Sequence, residues 1–550
     1  MSIGAIAAGH PAEVEAGRRM LEQGGNAVDA VTAAGFAAFV VEPTNCGLAG
    51  YGHLSAYLPA QGRFLTVDHG PRAPMAARAD MFELAGEYEG GHYDWPQVVD
   101  RRNELGALAA AVPGAVAGLC AAHAEAGRLP LAQTIEPAIE LADAGVEFDW
   151  HLLLMILERL HEIRAMPAAA ALLLRGGDPP RGSGYWGGGE RVDTAALAAT
   201  LRRIARDGAA AFHQGGAAAA MERAVAEGGG ILTAADLAGY RPKILWERPR
   251  RYRDVDYVTS NDQVGYEVLN ILERFSPAGM GAGSGAFLHL IGEAFGCAFA
   301  DNVTYYGDSE LTPSPLEGLA SAEFAAMRAA AISPDGVLPR PISAADPWPF
   351  QPGGAGGPAR PQVGGTSGTT QVAVMDGSGM AAALITTIGH DFGSLVYVPD
   401  VGVFLNSSMV NFDPRPGRPN CIQPGKMPYF AVPAIVAARA GRAVFAAAGS
   451  GGYRILSGVV HAFVHHVDFA MDVREAVDAP RVYCQGDELF VDDRLPASVR
   501  DELVRLGHHV VPERNRPGYA PFARVSAVAA ELGGPAAASD PPWSTASGRW

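Results

Sequence analysis

Apolar residues recur three and four positions apart through most of the first 332 residues, in "AEVEAGRRMLEQGG", "AVAGLCAAHAEAGRLP", "AQTIEPAIELADAG", "EVLNILERF" and "AFLHLIGEAFGCAFADNVTYYG". That spacing gathers them on one face of a helix. Several of these runs stop at glycine, as helix C-termini commonly do. The stretch "AVDAVTAAGFAAFVVEP", from Ala27, is apolar on nearly every side and reads as a buried helix. With Asp29 near its start, it falls short of the roughly 20 apolar residues that a bilayer span needs. Short β-like runs, "GHLSAYLP" and "FLTVDHG", sit between the helices.

The pattern changes at Ser333. "SPDGVLPRPISAADPWPFQPGGAGGPARPQVGGTSG", residues 333–368, is made of Pro, Gly and small polar groups and reads as a mobile linker. Directly after it come strand patterns, "TTQVAVMD", "GMAAALITTI", "VGVFLN" and "RAVFAAAGS", then a helical "LSGVVHAFVHHVDF" and the strand-like "ELFVD" and "VSAVAAEL". Three parts are therefore expected: a helix-rich 1–332, the linker 333–368, and a sheet-rich 369–550.

Composition narrows the partners. Hydrophobic residues make up 48% and charged residues 18%, which supports a large core. The net charge of -17 speaks against nucleic acid and anionic membrane, both of which need a positive surface, and leaves a small molecule as the expected partner. The N-terminus shows no basic segment followed by an apolar one, so a cytoplasmic location is expected. Five scattered cysteines without C-x-x-C spacing predict neither a disulfide framework nor a zinc site, and no cofactor is expected. His461 and His465 lie one helical turn apart near His466 and Asp468, a metal-like spacing for which no third ligand can be placed. "GAGSGA", Gly281 to Ala286, follows a helical run instead of a strand and reads as a loop. Neither a G-x-S-x-G elbow nor H-E-x-x-H occurs.

The linker ends at Gly368, and a strand begins at once with Thr369 and Thr370. Two β-branched residues opening a strand are one reading. Self-cleavage is the other. Attack of the Thr369 hydroxyl on the Gly368 carbonyl, followed by ester hydrolysis, would free Thr369 as a new N-terminus. Its hydroxyl would then be a nucleophile and its α-amine, with a reference pKa of about 7.7–8.0, a base suited to neutral pH. Gly451 and Gly452, after a strand run and before a helical one, are either a tight turn or two backbone donors for an oxyanion.

An ordered series of segments carries a more specific signal: "GHPAEVEAGRRMLEQGGNAVDA", "VVEPTNCGLAGYG", "AVPGAVAGLCAAH", "GGGILTAADLAGYRP", "AFADNVTYYGD", "TTQVAVMDGSG", "GVFLNSSMVNFDPRPG", "GSGGYRI" and "EAVDAPRV". Over nearly the whole chain it resembles the gamma-glutamyltranspeptidase family. The resemblance implies an α+β fold, the four-layer αββα sandwich of N-terminal nucleophile hydrolases, and a precursor that cuts itself at Gly368–Thr369 into two pieces that stay together. It implies Thr369 as nucleophile, Thr387 as its supporting threonine, and Gly451 and Gly452 as the oxyanion pair.

The glutamyl-reading positions depart from the family pattern. The stretch expected to hold an early arginine is "DHGPRAP", with Gly70 at that position and Arg72 two residues on. An aspartate is matched by Asn411, a serine pair by Tyr429 and Phe430, and an asparagine by Gly389. Loss of the aspartate removes the charge that would pair an ammonium. Arg72 and Arg454 are candidates for a substrate carboxylate or for ordinary ion pairs. "TTIGHDFGS" is similar to the oxamate amidohydrolase branch, which makes His390 a candidate for the acyl pocket as well as a turn residue. An amidohydrolase acting on a small amide is the leading expectation, with acyl transfer or a cephalosporin-acylase-like activity as alternatives. Gln371, where the family often has histidine, leaves open a third: a silent member that binds without catalysis.

Overall fold

Two antiparallel sheets lie face to face at the centre of the protein. The computed structural model describes residues 3–86, 95–182, 188–260, 262–353, 368–430, 433–516, 519–540 and 546–549. In spatial order the first sheet runs Ala546–Arg549, Gly4–Ala8, Gly368–Asp376, Ala381–Gly389, Tyr51–Leu58, Arg63–His69 and Lys243–Glu247. The second runs Gly534–Ser539, Arg524–Glu531, Arg442–Ser450, Ile435–Arg439, Val255–Val258 and Arg250–Tyr252.

Strand alternation divides the side chains between two cores. Ala373, Met375, Ala381, Ala383 and Ile385 join the core shared with the second sheet. Val372, Val374, Ala382 and Leu384 point the other way, against the helices Pro11–Glu22 and Ala27–Val41. On the far side of the second sheet pack Gln263–Leu272, Gly285–Tyr305 and Arg454–Asp468. Helix, sheet, sheet, helix: this is the expected four-layer αββα sandwich.

The helix Ala27–Val41 shows how local chemistry sets a layer. Asn26 Oδ1 accepts the N–H groups of Val28 and Asp29, and the Asp29 carboxylate accepts the N–H of Asn26, a closed capping box. Asp29 also takes the N–H groups of Arg128 and Leu129 at 2.9–3.1 Å, so a buried charge is satisfied while it ties two segments together. Beyond the cap the helix is buried all round, including Val28, Val31 and Phe36, each contributing about 1.5–3 kcal/mol. No helix among the described residues is long and apolar enough to cross a membrane.

Strand formation is not confined to the region after the linker. Gly4–Ala8 and the strands between Lys243 and Val258 were not expected, and four of the first sheet's seven strands precede residue 332. "GAIAA" is buried on both faces and has no polar position to alternate with its apolar ones, so periodicity does not mark it. The linker is also partly docked. Ser333–Gly353 holds little regular structure, a bridge between Ser333 and Gly336 and a 3-10 turn, Trp348–Phe350, yet Glu293 accepts Leu338 N–H at 2.8 Å and pairs with Arg340. Asp301, forked onto Arg328, accepts Ala345 N–H. His289 links this stretch to the C-terminal part, one ring nitrogen 2.8 Å from the Ser333 carbonyl and the other 2.7 Å from His508 Nε2. Residues 354–367 lie outside the described residues.

Gly52 sets the position of the strand that carries Thr387. It pairs with Thr386, and a Cβ there would lie 2.0 Å from the Ile385 carbonyl oxygen, a backbone atom that cannot rotate away. Gly52→Ala is expected to cost about 1–3 kcal/mol or more, read as a lower thermal unfolding midpoint. An unchanged midpoint would show that the two strands separate freely.

Candidate active site

Thr369, Gln371, Ala373 and Met375 occupy the same side of their strand and look toward the second sheet. Gln371 Nε2 accordingly lies 3.3 Å from Ser526 Oγ, and an Arg524 guanidinium nitrogen donates to the Thr369 carbonyl at 3.3 Å. Thr370 looks the other way, toward Gly9, where a Cβ would come within 2.6 Å of its hydroxyl. Only one of the two threonines therefore faces the inter-sheet space. The Thr369 side chain is fully buried, and its hydroxyl has no hydrogen-bond partner among the described residues. Leaving such a group unmatched costs about 1–3 kcal/mol, so it calls for a functional explanation.

The Gly368 carbonyl is held from the neighbouring strand. Thr387 Oγ1 donates to it, while the same oxygen accepts the Gly389 N–H at 3.0 Å. The backbone donor fixes the direction of the hydroxyl proton, and the hydroxyl polarises the carbonyl of the Gly368–Thr369 bond. Gly389 has φ +93, and a Cβ there would meet Ser407 Oγ at 2.3 Å. A side chain at 389 is thus sterically barred. The sheet register is interrupted between Thr386 and Gly389, and that irregularity turns Thr387 and the Gly389 N–H toward residue 368.

A cavity of about 330 Å³ opens in front of these groups, lined by Gly368, Thr369, His390, Asp391, Gly451 and Arg454 among others. Gly451 and Gly452 have φ +130 and +65 and join the strand Arg442–Ser450 to the helix Arg454–Asp468. Gly451 borders the cavity, and Gly452 caps the first turn of the helix by accepting the Ile455 N–H. The His390 backbone N–H donates to Ser407 Oγ at 3.0 Å, and its ring Nδ1 lies 3.3 Å from the same oxygen. Burial pushes its pKa down to about 4, with Arg159 and Arg101 adding to the effect, so it is neutral at pH 7. Asp391 goes the other way: burial pushes it up to about 6. Arg454 lies 5.5 to 5.9 Å from the ring centres of Tyr483, Phe490 and Tyr519, and among the described residues it has no carboxylate partner.

The other candidates stand apart from this cavity. Arg72 donates to the Gly425 carbonyl and lies 3.6 Å from Glu310. Asn411 donates to Tyr51 Oη and Ser408 Oγ, both at 2.9 Å. Tyr429 belongs to an aromatic group with Trp95, Tyr306 and Tyr453. Phe430 stacks on His53 with centroids 4.8 Å apart and fills the space over Gly70, where a Cβ would come within 2.6 Å of its ring. Gly70 and Phe430 are thus complementary: at the positions where the family resemblance places an arginine and a serine, a ring packs onto a bare backbone. His461 and His465 are core residues, with Nδ1 atoms directed at the Ser457 and Ala476 carbonyls. Asn45, His151, Glu158, Asp391 and Arg524 also line the cavity and were not singled out in the sequence. Asn45 and Asp391 fall within quoted motifs, whereas Arg524 has no local signal.

A four-layer sandwich with a strand-opening threonine between its sheets defines the class of N-terminal nucleophile hydrolases. The chain belongs to the gamma-glutamyltranspeptidase family, whose model matches residues 14–548. It is 35% identical to the "Acylase ACY 1 proenzyme" of Pseudomonas sp. (strain V22), over 93% of this chain and 88% of that one. With the "Glutathione hydrolase proenzyme" of Bacillus subtilis (strain 168) the identity is 30%, over 92% and 85%. The cephalosporin acylase from Bacillus halodurans superposes with a TM-score of 0.84 at 24% identity, over the whole of this chain and 96% of that structure.

Replacing Thr387 by Val keeps the shape and removes the donor to the Gly368 carbonyl. The fraction of chain cut with time on a denaturing gel should show cleavage slowed by about 10²–10³-fold, the loss typical of one oxyanion donor. Cleavage at the wild-type rate would show that this hydrogen bond is incidental.

Proposed function

We propose that this protein is a self-processing amidohydrolase that cleaves a small amide through Thr369. The observation that carries the reading is the placement of an unmatched, buried Thr369 hydroxyl beside a carbonyl polarised by Thr387. In the precursor the hydroxyl oxygen bonds to the Gly368 carbonyl carbon, the Gly368–Thr369 C–N bond breaks, and the nitrogen keeps the hydroxyl's proton as a free amine. Water then hydrolyses the ester, leaving a carboxylate on Gly368 and restoring the Thr369 hydroxyl. The two pieces, 1–368 and 369–550, remain together because Gly368–Asp376 is paired with Gly4–Ala8 through five residue pairs.

Catalysis then repeats the chemistry on a substrate. The Thr369 amine takes the hydroxyl proton as the oxygen attacks the amide carbonyl, and the Gly451 and Gly452 N–H groups are the donors for the oxyanion. The proton passes to the leaving amine, and water resolves the acyl ester. The packing of Phe430 on Gly70 speaks against a glutamyl group in its family orientation. The acylase relatives favour hydrolysis of another acyl group, and Arg454, on the cavity wall and without an acid partner among the described residues, favours one bearing a carboxylate.

Thr369→Ala should remain one uncut chain without amide hydrolysis, whereas Thr369→Ser, which keeps a hydroxyl, should be cut and active at reduced rates. Two normal pieces from the alanine variant would refute the assignment. Among short amides tested on the wild type, those with a second carboxylate should be preferred, and Arg454→Gln should raise their KM roughly tenfold to hundredfold, the loss of a hydrogen bond to a charged group. Equal KM values for charged and neutral amides would remove Arg454 from substrate recognition.

A further inference from the structure

Three oxygens converge on Gly368 from outside its own strand. A Cβ at that position would lie 3.0 Å from Asp391 Oδ1, 3.3 Å from the Thr44 carbonyl oxygen and 3.4 Å from Asn45 Oδ1. A larger residue at 368 would have to displace them. Their chemistry is uniform: all three are acceptors, one is a carboxylate, and they meet beside the bond that is cut. The Asp391 side chain has no hydrogen-bond or ion-pair partner among the described residues, although it lies on the cavity wall. Such a carboxylate is costly unless a cation arrives. Position 389, where the family resemblance places an asparagine, carries no side chain that could serve the amine.

We propose that Asp391 Oδ1, the Thr44 carbonyl and Asn45 Oδ1 form a cradle for the ammonium form of the new Thr369 N-terminus. This rests on the self-cleavage described above. Cleavage turns an amide nitrogen with one N–H into an ammonium with three, and withdrawal of Gly368 opens the space in front of the three oxygens. Thr44 O already accepts the Phe392 N–H at 3.1 Å and has its second lone pair to offer. Asp391 is a positioning residue here: it holds the amine over the Thr369 hydroxyl and stabilises the proton that the amine carries between nucleophile and leaving group. Burial raises its pKa in the uncut chain although Arg159 and Arg524 pull the other way, so the carboxylate gains from a further positive charge beside it. The charged and titratable groups around it are Arg159, whose guanidinium donates to the Asp391 backbone carbonyl, with Arg524, Arg454, Glu158, His390 and His151 along the cavity. Glu158 is the other carboxylate among these, and the oxygen nearest a Cβ at Gly368 is that of Asp391.

The test needs no substrate. Competitive acetylation of the cut protein with acetic anhydride across pH, read by mass spectrometry of the Thr369 peptide, gives the pKa of that amine. Asp391→Asn should be cut as the wild type is, and its amine pKa should fall by at least about one unit, a tenfold weaker hold on the proton. Asn45→Asp, which adds a second carboxylate to the cradle, should raise it. Equal pKa values in the wild type and both variants would overturn the cradle. So would an Asp391→Asn chain that folds but stays uncut, since the carboxylate would then belong to the cleavage step. A wild type that is not cut at Thr369 would refute self-processing itself, a separate failure.

Discussion

One hydrogen bond organises the centre of this protein: the Thr387 hydroxyl to the Gly368 carbonyl, with the Gly389 N–H behind it. It requires two adjacent strands in a register broken at one place, a glycine with positive φ at the break, and a threonine on the inward side of each strand. The rest of the sandwich satisfies those requirements. Gly52 admits the Thr387 strand, the helix Ala27–Val41 backs it, and the second sheet closes over Thr369 with Ser526 and Arg524.

The surroundings of that bond are more polar than a core of this depth tolerates without purpose. Arg524 is buried, and burial lowers its pKa against the opposing pull of Glu42, Glu13, Asp391 and Asp540. Glu13, beside Glu42, is pushed well above the usual carboxylate range by burial and by its neighbour. Hydroxyls without a hydrogen-bond partner among the described residues, at Thr369 and Thr370, sit in the same region. A core built for stability alone would replace these groups with apolar ones of similar size at little cost or with gain. Their retention fits a site where charge appears and moves during the reaction, the condition under which fixed dipoles in a dry environment are most effective.

Much of this was legible in the sequence, for reasons that can be assigned. The apolar and β-branched runs after the linker mark the strands at Thr369 and Ala381, both buried along nearly their whole length. The family resemblance supplies Thr387, which the structure sets against the Gly368 carbonyl, and Gly451, which borders the cavity; Gly452 follows it in the turn that leads into the helix. Alternation does not reveal Gly4–Ala8, whose two faces are both buried and neither of them polar. The resemblance marks positions 411, 429 and 430 without showing that a ring at 430 would fill the space above Gly70. Asp391 and Arg524 become visible only in three dimensions, since 155 residues separate Arg524 from the carbonyl it binds.

Everything proposed for this site depends on Thr369 acquiring a free amine. N-terminal sequencing of the fragments from purified, active protein addresses that directly. The account predicts a smaller piece that begins Thr-Thr-Gln-Val, the sequence from Thr369. Full activity in a chain with no break ahead of Thr369 would contradict it.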